Sequence, residues 1–432
     1  MAATTKDAAA AAVGDVTLPT AGENLSLQVT QEDEDWRKLI PEKRFHTADV
    51  TDTRKGSFEE YSLKKELLRG IYAKRWEHPS PVQEDSIPMA ISGYDILARA
   101  KNGVGKTGSY LIPILEKVDT TQNYTQALVL VPTIELASQT FTVCKELGKY
   151  IKGLSVLLIR GGTPLRDDIV NLQTQPNHII IATPGRMADV TQHGNAKLDR
   201  LQTVVLDEAD KLLSVDFFPV IEEIFRPMPA TRQTLLFSAT YPSLVKGFCD
   251  KYLRNYKVVN VMNELCLRGV TQYYAHVEER KKLFCLNTLF RHLTIFQSMI
   301  FCNSVPRVQM LSQKIVELGY SCAYIHARME SAMRTKVLHD FRGKVFRNLV
   351  ASDLCARGID VPDVNVVFNF DFPNTSDAYL HRVGRGGRFG GLALAVNLVT
   401  EQDRESKARI ERELGFKMLP LPKEVDLALY TK

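Results

Sequence analysis

From residue 36 onward, short and almost purely apolar segments alternate with longer helical stretches, and this alternation most limits the possible folds. Short runs rich in Val, Ile and Leu are typical of strands buried on both faces of a parallel sheet. The alternation pauses around residues 258–267. We therefore predict two tandem α/β domains, each a mostly parallel sheet covered by helices on both faces. The predicted strands are 127–131, 179–182, 203–206 and 234–237, and then 298–302, 323–325, 348–351, 364–369 and 393–398.

The charge of the chain is unevenly distributed. Residues 1–35 contain seven acids and one Lys, which leaves +11 on residues 36–432 of a chain whose net charge is +5. A basic body of this kind fits a polyanionic partner such as nucleic acid. The acidic leader has no aromatic residue, and its composition predicts disorder.

Several classes of protein are excluded by composition. The seven cysteines form no CxxC pair, so the sequence indicates neither a zinc site nor a disulfide scaffold. Apolar runs stay well short of the roughly 18 residues that a membrane span requires. The Ala-rich start lacks the basic flank and apolar core of a secretory signal. These features predict a reducing compartment, the cytoplasm or the nucleus.

A phosphate-binding loop is the most specific local motif. It reads Ala100-Lys-Asn-Gly-Val-Gly-Lys-Thr107, with Ala at the position of the first Gly of the general pattern. Its glycines let backbone N–H groups face phosphate oxygens, Lys106 reaches the β and γ phosphates, and Thr107 can bind Mg²⁺. The helix expected over about 108–118 directs its positive end at the same phosphates.

An apolar strand that ends in acids strengthens this interpretation. Asp207 and Glu208 follow Val204-Val-Leu206 directly. An Asp at such a strand end can hold Mg²⁺, and the neighbouring Glu can orient and deprotonate an attacking water. Together with the phosphate loop, these residues predict a nucleoside triphosphatase site.

The string Asp207-Glu-Ala-Asp210 resembles that of the DEAD-box RNA helicases, and matching motifs follow in order through most of residues 48–430. The resemblance implies two RecA-like domains. The expected division is a leader at 1–35, a first domain at 36–260, a linker at 261–267 and a second domain at 268–432. Within the first domain, it implies a Q motif at 56–84 and an ATP-binding helicase domain at 87–257.

The resemblance also implies ATP and Mg²⁺ as cofactors, with catalytic roles for Lys106, Asp207, Glu208 and the arginine fingers Arg385 and Arg388. Thr107 and Asp207 are the expected metal ligands. Phe58 is expected to stack on adenine and Gln83 to bond its edge. The implied nucleotide-binding set is Phe58, Gln83, Ala100, Lys101, Asn102, Gly103, Val104, Gly105, Lys106, Thr107 and Asp360.

Loops of both domains resemble those that hold the RNA backbone in this family, and Ser238-Ala-Thr240 resembles the motif that couples the nucleotide state to strand separation. Hydroxyls, glycine amides, helix starts and arginines can meet phosphates without reading bases. The RNA-binding residues implied in this way are Thr133, Gly162, Thr183, Gly185, Arg186, Asn303, Arg334, Arg357 and Gly358.

The chain departs from the family pattern at several positions. Ile134 stands where the family has an Arg that meets phosphate, and Ser331 stands where it usually has Gln, so both changes bear on RNA binding. Arg75 replaces a Gly of the Q motif, Val104 a small hydroxyl residue, and Gly386 a Ser or Thr. The chain is therefore expected to be a diverged paralogue with its ATPase residues in place.

Strings such as Gly269-Val-Thr-Gln-Tyr-Tyr-Ala275 and Asn369-Phe-Asp-Phe-Pro373 resemble the branch of cytoplasmic P-body helicases that repress translation and activate mRNA decapping. The resemblance implies single-stranded RNA as a partner, decapping and repression proteins on the second domain, no membrane, a monomeric core, and location in ribonucleoprotein granules.

Two other functions remain open at this point. One is a catalytically weak, ATP-dependent RNA clamp that scaffolds a repressor complex, which Ile134 and Ser331 motivate. The other is a P-loop enzyme acting on a small molecule. The second series of strands and the string His381-Arg-Val-Gly-Arg-Gly-Gly-Arg388 argue against a small-molecule enzyme, which needs neither.

Overall fold

The computed structural model describes residues 56–100, 103–240, 243–261, 269–353, 361, 363–387 and 391–431. The described residues form two seven-stranded sheets with helices around them, and every strand pairing in both sheets is parallel. This confirms the predicted fold class. Within the described ranges, no helix combines the length and the hydropathy needed to cross a bilayer. The leader 1–35 and most of the predicted linker lie outside the described residues.

The first sheet has the strand order β3-β4-β2-β5-β6-β1-β7. Its strands are β1 Ile96–Arg99, β2 Ala127–Leu130, β3 Val156–Ile159, β4 Ile179–Ala182, β5 Thr203–Asp207, β6 Gln233–Ser238 and β7 Lys257–Asn260. Its helices are α1 Lys65–Ala73, α2 Pro81–Ile91, α3 Lys106–Lys117, α4 Ile134–Leu147, α5 Leu165–Thr174, α6 Pro184–Gln192, α7 Ala209–Leu212, α8 Phe218–Phe225 and α9 Ser243–Tyr252.

The second sheet has the order β10-β11-β9-β12-β13-β8-β14. Its strands are β8 Val270–His276, β9 Gln297–Cys302, β10 Cys322–Ile325, β11 Asn348–Ser352, β12 Val364–Asn369, β13 Ala393–Val399 and β14 Leu419–Pro420. Its helices are α10 Lys282–His292, α11 Val305–Glu317, α12 Ser331–Arg342, α13 Ser376–Val383 and α14 Arg404–Leu414.

The first sheet separates two apolar cores. In the first domain, Val129, Ile181, Val205 and Phe237 pack on one face, whereas Leu128, Ile180, Val204 and Leu236 pack on the other. Successive residues of a strand point to opposite faces, so a strand buried on both sides must be apolar throughout. That requirement explains why the nine predicted strands all form, within one residue at either end.

Five strands are missing from the sequence-based prediction: β1, β3, β7, β8 and β14. The segment Lys257–Asn260 alternates exposed and buried positions only weakly, and Leu419–Pro420 is an exposed two-residue edge. Edge strands bury one face or none, so β7 and β14 need no continuous apolar run, whereas β1 and β8 lie inside their sheets. Helix α3 also begins two residues before the predicted start, at Lys106, which places Thr107 within its first turn.

The backbone conformation at Arg75 explains why glycine suits this position in the family pattern. Arg75 follows α1 with φ 59°, in the left-handed region, and its N–H donates to the carbonyl of Tyr72. An L-residue with a side chain is strained in this conformation by about 1–2 kcal/mol, whereas glycine is not. Arg75 therefore destabilises the end of α1.

We expect Arg75→Gly to raise the free energy of unfolding by about 0.5–1 kcal/mol, because relief of strain exceeds the added entropy of the unfolded chain. Denaturant unfolding measures this change. The control Arg75→Ala removes the same charge but keeps the strain, so it should bring no gain. Equal stabilisation by both variants would show that charge repulsion, and not backbone conformation, is relieved.

Candidate nucleotide and RNA site

The phosphate loop lies at the carboxyl end of β1, between the ends of β6 and β7. Gly103 and Gly105 have φ values of 84° and 99°, which favour glycine. Ala100 and Val104 are buried, and the side chain of Lys106 is almost fully buried at the start of α3. The positive end of the helix dipole and the first N–H groups of a helix favour an anion, so the start of α3 can bind phosphate. Lys101 and Asn102 lie outside the described residues.

Gln83 is bonded to protein backbone on both sides of its amide. Its Oε1 accepts from the N–H of Ser80 at 3.0 Å, which forms a capping box at the start of α2, and its Nε2 donates to the carbonyl of Gly105 at 3.0 Å. The amide thus ties α2 to the phosphate loop. To meet an adenine edge as predicted, it would have to exchange or share these bonds.

Phe58 is fully buried among the first core of this domain, and its ring lies edge-on to Tyr61, with centroids 6.2 Å apart. Stacking on a base, as predicted from the resemblance, would require the ring to be uncovered on one face.

Asp207 at the end of β5 and Glu208 directly after it lie near the buried amine of Lys106. The Tyr110 hydroxyl donates to Asp207 Oδ2 at 2.9 Å, and the N–H of Glu208 donates to Asp207 Oδ1 at 2.9 Å. The Lys106 Nζ lies 3.8 Å from Glu208 Oε1. Glu208 has φ 53°, a left-handed conformation that turns its side chain back toward the loop.

Burial raises the pKa of Asp207, because a carboxylate loses its solvation; Lys106 lowers this pKa and Glu208 raises it. Burial also raises the pKa of Tyr110 well above its usual value, so Tyr110 stays protonated and can donate. Two buried carboxylates share one buried amine here. A divalent cation between Asp207 and the nearby Thr107 hydroxyl would balance the remaining negative charge, so these residues fit Mg²⁺.

The second domain reaches this site through His381. Its Nε2 lies 3.1 Å from Asp210 Oδ2 and its Nδ1 lies 3.9 Å from Glu208 Oε2. The Ser238 hydroxyl, at the end of β6, donates to Asp210 Oδ1 at 2.9 Å. Asp210 therefore joins the Ser238-Ala-Thr240 loop to α13 of the other domain.

Arg382 and Arg385, which follow His381, are buried as well. Arg382 bonds the side chains of Asn303 (2.6 Å) and Asp353 (2.8 Å) and the carbonyl of Asp371 (2.6 Å). The Nε of Arg385 donates to the carbonyl of His381 at 3.1 Å. Asn303, a predicted RNA ligand, also donates its Nδ2 to the carbonyl of Phe372. The remaining predicted residues of this domain, Arg357, Gly358, Asp360 and Arg388, lie outside the described residues.

Gly386, which replaces a hydroxyl residue of the family pattern, has a steric explanation. A Cβ at this position would lie 2.8 Å from the Cβ of Ala393 and 3.2 Å from Val367. Close packing of this turn on β12 and β13 therefore excludes a side chain in this conformation.

The predicted RNA loops of the first domain meet at the carboxyl ends of β2, β3 and β4. Thr133 and Thr183 precede α4 and α6 as N-caps. Gly162 has φ 89°, and a Cβ at Gly185 would meet only open space. Arg186 bonds Asp168 at 2.6 Å and the carbonyl of Thr163 at 2.7 Å. Burial raises the pKa of Asp168 although Arg186 opposes it.

These loops also contact the second domain. The Arg160 guanidinium donates to the Ser331 hydroxyl at 3.1 Å, and a Cβ at Gly162 would lie 2.8 Å from the Cβ of Ser331. The Nε of Arg334 lies 3.1 Å from Glu135 Oε1. Ser331 is thus small enough to let the two domains approach, and Arg334 pairs with a carboxylate of the first domain.

Sequence reasoning missed three residues of this site. Asp210 and His381 belong to quoted motifs but received no role, because only the folded chain brings them together. Tyr110 lay outside every motif. Its spacing of three residues after Thr107 on α3 was a signal, since residues three apart share a helix face.

Known families and proteins match this chain over most of its length. Residues 80–248 match the family DEAD/DEAH box helicase, and residues 281–390 match the helicase conserved C-terminal domain. DEAD-box ATP-dependent RNA helicase 12 of Arabidopsis thaliana is 56% identical over 92% of this chain and 80% of its own length. ATP-dependent RNA helicase me31b of Drosophila melanogaster is 55% identical over 93% of this chain and 88% of its own.

Solved structures match the arrangement of both domains. Dbp5 of S. cerevisiae bound to RNA and ADP BeF3 superposes with a TM-score of 0.79 at 29% identity, over 85% of this chain and 96% of that chain. Dbp5 in complex with Nup159, Gle1, IP6 and ADP gives 0.60 at 27% identity, over 85% and 97%. The domain arrangement here is therefore nearer to that of the first complex.

We expect Gly108→Ala to lower the free energy of unfolding by about 1–3 kcal/mol, because its Cβ would lie 2.4 Å from the Gln83 Nε2 and 2.9 Å from the Trp76 ring. Thermal unfolding measures the loss. If the clash with Gln83 is its cause, the same substitution should cost less in a Gln83→Ala background. Gly185→Ala, at an uncrowded helix position, serves as the control and should cost nothing.

Proposed function

The chain belongs to the DEAD-box ATP-dependent RNA helicases, and we propose that it clamps one RNA strand by its backbone and opens short duplexes locally as it hydrolyses ATP. One observation carries this proposal. Asp210 is bonded at once to Ser238 of the first domain and to His381 of the second, directly beside Glu208 and Lys106. The nucleotide site is therefore complete only when the two domains are closed.

In the nucleotide step, Lys106 and the N–H groups at the start of α3 hold the phosphates. Thr107 and Asp207 would hold Mg²⁺, which would supply positive charge to the phosphate oxygens. Glu208 accepts a proton from the attacking water at its carboxylate. Arg385 and Arg388 approach from the second domain as arginine fingers, a role worth about 10³–10⁵ in rate in enzymes that use it.

The RNA step rests on backbone contacts. We call the space between the two domains beside the predicted RNA loops the RNA groove. On its first-domain side we place the hydroxyls of Thr133 and Thr183, the amides of Gly162 and Gly185, and the guanidinium of Arg186. On its second-domain side we place Asn303 and Arg334. Such groups bind phosphates and carry no base code, so binding is independent of sequence. This chain is similar to Dbp5, whose structure was solved in complex with RNA and ADP BeF3, and that similarity supports RNA binding in this groove.

Closure can open a duplex without translocation. A strand held and bent by its backbone cannot keep its partner, and each stacked step contributes only about 1.4 kcal/mol. The energy of closing over ATP can therefore separate a few base pairs. Hydrolysis and phosphate loss then remove the groups that hold Lys106 and the arginines together, and the cleft reopens.

The relatives support a proposed cellular role. Helicases similar to this chain include me31b of Drosophila melanogaster and the probable helicase ddx6 of Dictyostelium discoideum, which is 55% identical over 95% of its own length. The branch resemblance implies translational repression and mRNA decay in cytoplasmic P-bodies or related granules.

A separate apolar groove on the second domain is a suitable binding site for proteins of translational repression and mRNA decay. Helix α10 and the C-terminal segment line it, and its apolar residues Phe284 and Leu427 are 75% and 50% exposed. Large apolar side chains exposed at this level mark protein-binding surfaces when they adjoin one another. We assign decapping and repression proteins to this groove.

A catalytically weak clamp is the second candidate. Ile134 removes a cation from the RNA groove, and Ser331 contacts Arg160 across the domains at 3.1 Å. Direct contact between the domains can hold the closed form with less help from RNA. Turnover measurements separate this candidate from an active helicase.

For an active helicase, we expect single-stranded RNA to stimulate steady-state ATP hydrolysis strongly. Glu208→Gln should abolish turnover, because no base then accepts the proton of the attacking water, while ATP-dependent RNA binding persists. Equal turnover with and without RNA would disprove the coupling. ATP-dependent RNA retention without turnover in the unaltered protein would establish the clamp instead.

We expect Phe284→Asp to weaken binding of purified decapping or repression proteins at least tenfold, because it places a charge in the apolar groove, and to leave RNA-stimulated ATPase unchanged. Val258→Asp, at a similarly exposed apolar position of the first domain, is the control. Unchanged partner affinity in Phe284→Asp would rule out this groove as the docking site.

A further inference from the structure

A strongly basic surface lies on the first domain, away from the groove between the domains. It is built by α1, the turn after it, the end of α4 and the turn that follows. Residues 65–76 and 145–153 carry two carboxylates, those of Glu66 and Glu146, and Glu146 is paired with Lys74. A third, that of Glu59, accepts from the Tyr72 hydroxyl at 3.3 Å. The cations of this basic patch are Lys65, Arg69, Lys74, Arg75, Lys145, Lys149 and Lys152.

Aromatic rings alternate with these cations. The Arg69 guanidinium lies 4.5 Å from the centre of the Tyr150 ring, and the Lys149 amine lies 5.6 Å from the same ring. Lys145 lies 5.4 Å from the Phe141 ring and Lys74 lies 5.6 Å from the Trp76 ring. The contact of Arg69 with Tyr150 joins α1 to the turn after α4, and all four contacts restrict otherwise flexible cations.

The framework beneath the patch is rigid. Gly70 of α1 meets the backbone of α4 so closely that a Cβ there would lie 1.9 Å from the carbonyl oxygen of Leu147. On α1, Lys65 and Arg69 are four residues apart and therefore share its exposed face. Tyr72, which is 38% exposed, lies on that face too.

Helix stabilisation explains only part of this charge. Cations near a helix C-terminus interact favourably with its dipole, which accounts for Lys74 and Lys145. Lys65 is the first residue of α1, where a cation is unfavourable, and Lys152 lies beyond α4. Arg75 occupies a left-handed position that glycine would fill without strain. The chain therefore keeps charge here at a cost in local stability.

Helix α4 connects the patch to the RNA groove. Its first residues adjoin Thr133 at the groove, and its last residue, Leu147, adjoins the patch. Fourteen helical residues span about 21 Å. A strand leaving the groove covers that distance with roughly six stacked nucleotides, at about 3.4 Å each.

We propose that the basic patch is a second, sequence-independent binding site for the backbone of single-stranded RNA, and that it holds the strand where it leaves the groove. Cations alternating with aromatic rings are how proteins bind single strands, and the exposed plane of a stacked guanidinium can itself accept a base. Ile134 makes no phosphate contact within the groove. The patch supplies phosphate contacts outside it. This inference rests on the proposed RNA clamp.

The test compares two RNA lengths with the full chain and a nonhydrolysable ATP analogue. An oligonucleotide of about 8 nucleotides fills the groove alone, and one of about 20 reaches the patch. The variant Arg69→Gln/Lys149→Gln removes the two cations on the Tyr150 ring. The control Arg254→Gln/Lys257→Gln removes two exposed cations, one of them 4.9 Å from the Tyr94 ring, at the opposite edge of the first sheet.

The patch variant should bind the long RNA several-fold more weakly, with a salt dependence lower by about two units, and bind the short RNA normally. The control should match the unaltered protein on both. Equal affinity of the patch variant for the long RNA would overturn the proposal. Tighter binding would also overturn it, and would assign the patch to the acidic residues 1–35.

Failure of the clamp can be recognised separately. If the unaltered protein does not bind the short RNA, the proposed clamp is wrong. The salt dependence on the long RNA still decides the patch in that case, because it reports phosphate contacts wherever they occur.

Discussion

The carboxylate of Asp210 is the contact on which the closed arrangement depends. One oxygen accepts from Ser238 and the other lies 3.1 Å from His381, and all three side chains are buried. A buried carboxylate is unfavourable unless each oxygen is bonded, so separating the domains leaves one half of it unsatisfied or returns it to water. Asp210 thereby links a strand end of one sheet to a helix of the other.

The catalytic acids sit beside this contact for a topological reason. Strands β5, β6 and β1 are neighbours and parallel, so the loops after them emerge at one edge of the sheet. Asp207 and Ser238 are the last residues of β5 and β6, and Lys106 begins the helix that follows the loop after β1. The positive charge of Lys106 lowers the pKa of Asp207, which burial raises. Domain closure and charge balance thus depend on neighbouring side chains at one edge of the sheet.

The departures from the family pattern have physical explanations that differ from one another. Ser331 fits against Gly162, and Gly386 fits against Ala393. Arg75 instead stays strained, with a positive φ, on a surface rich in cations. The first two changes accommodate packing, whereas the third retains charge.

The sequence alone determined the fold class, most strands and the phosphate loop. Strands buried on both faces must be apolar throughout, and a loop that binds phosphate must carry glycines and a Lys in fixed order. Only the tertiary structure decided the cross-domain contacts of Asp210 and His381, the bonds that hold Gln83 to Gly105, and the meeting of Arg69 with Tyr150. Those pairs lie 171, 22 and 81 residues apart. No periodicity or motif records such a distance, because it depends on how whole elements pack.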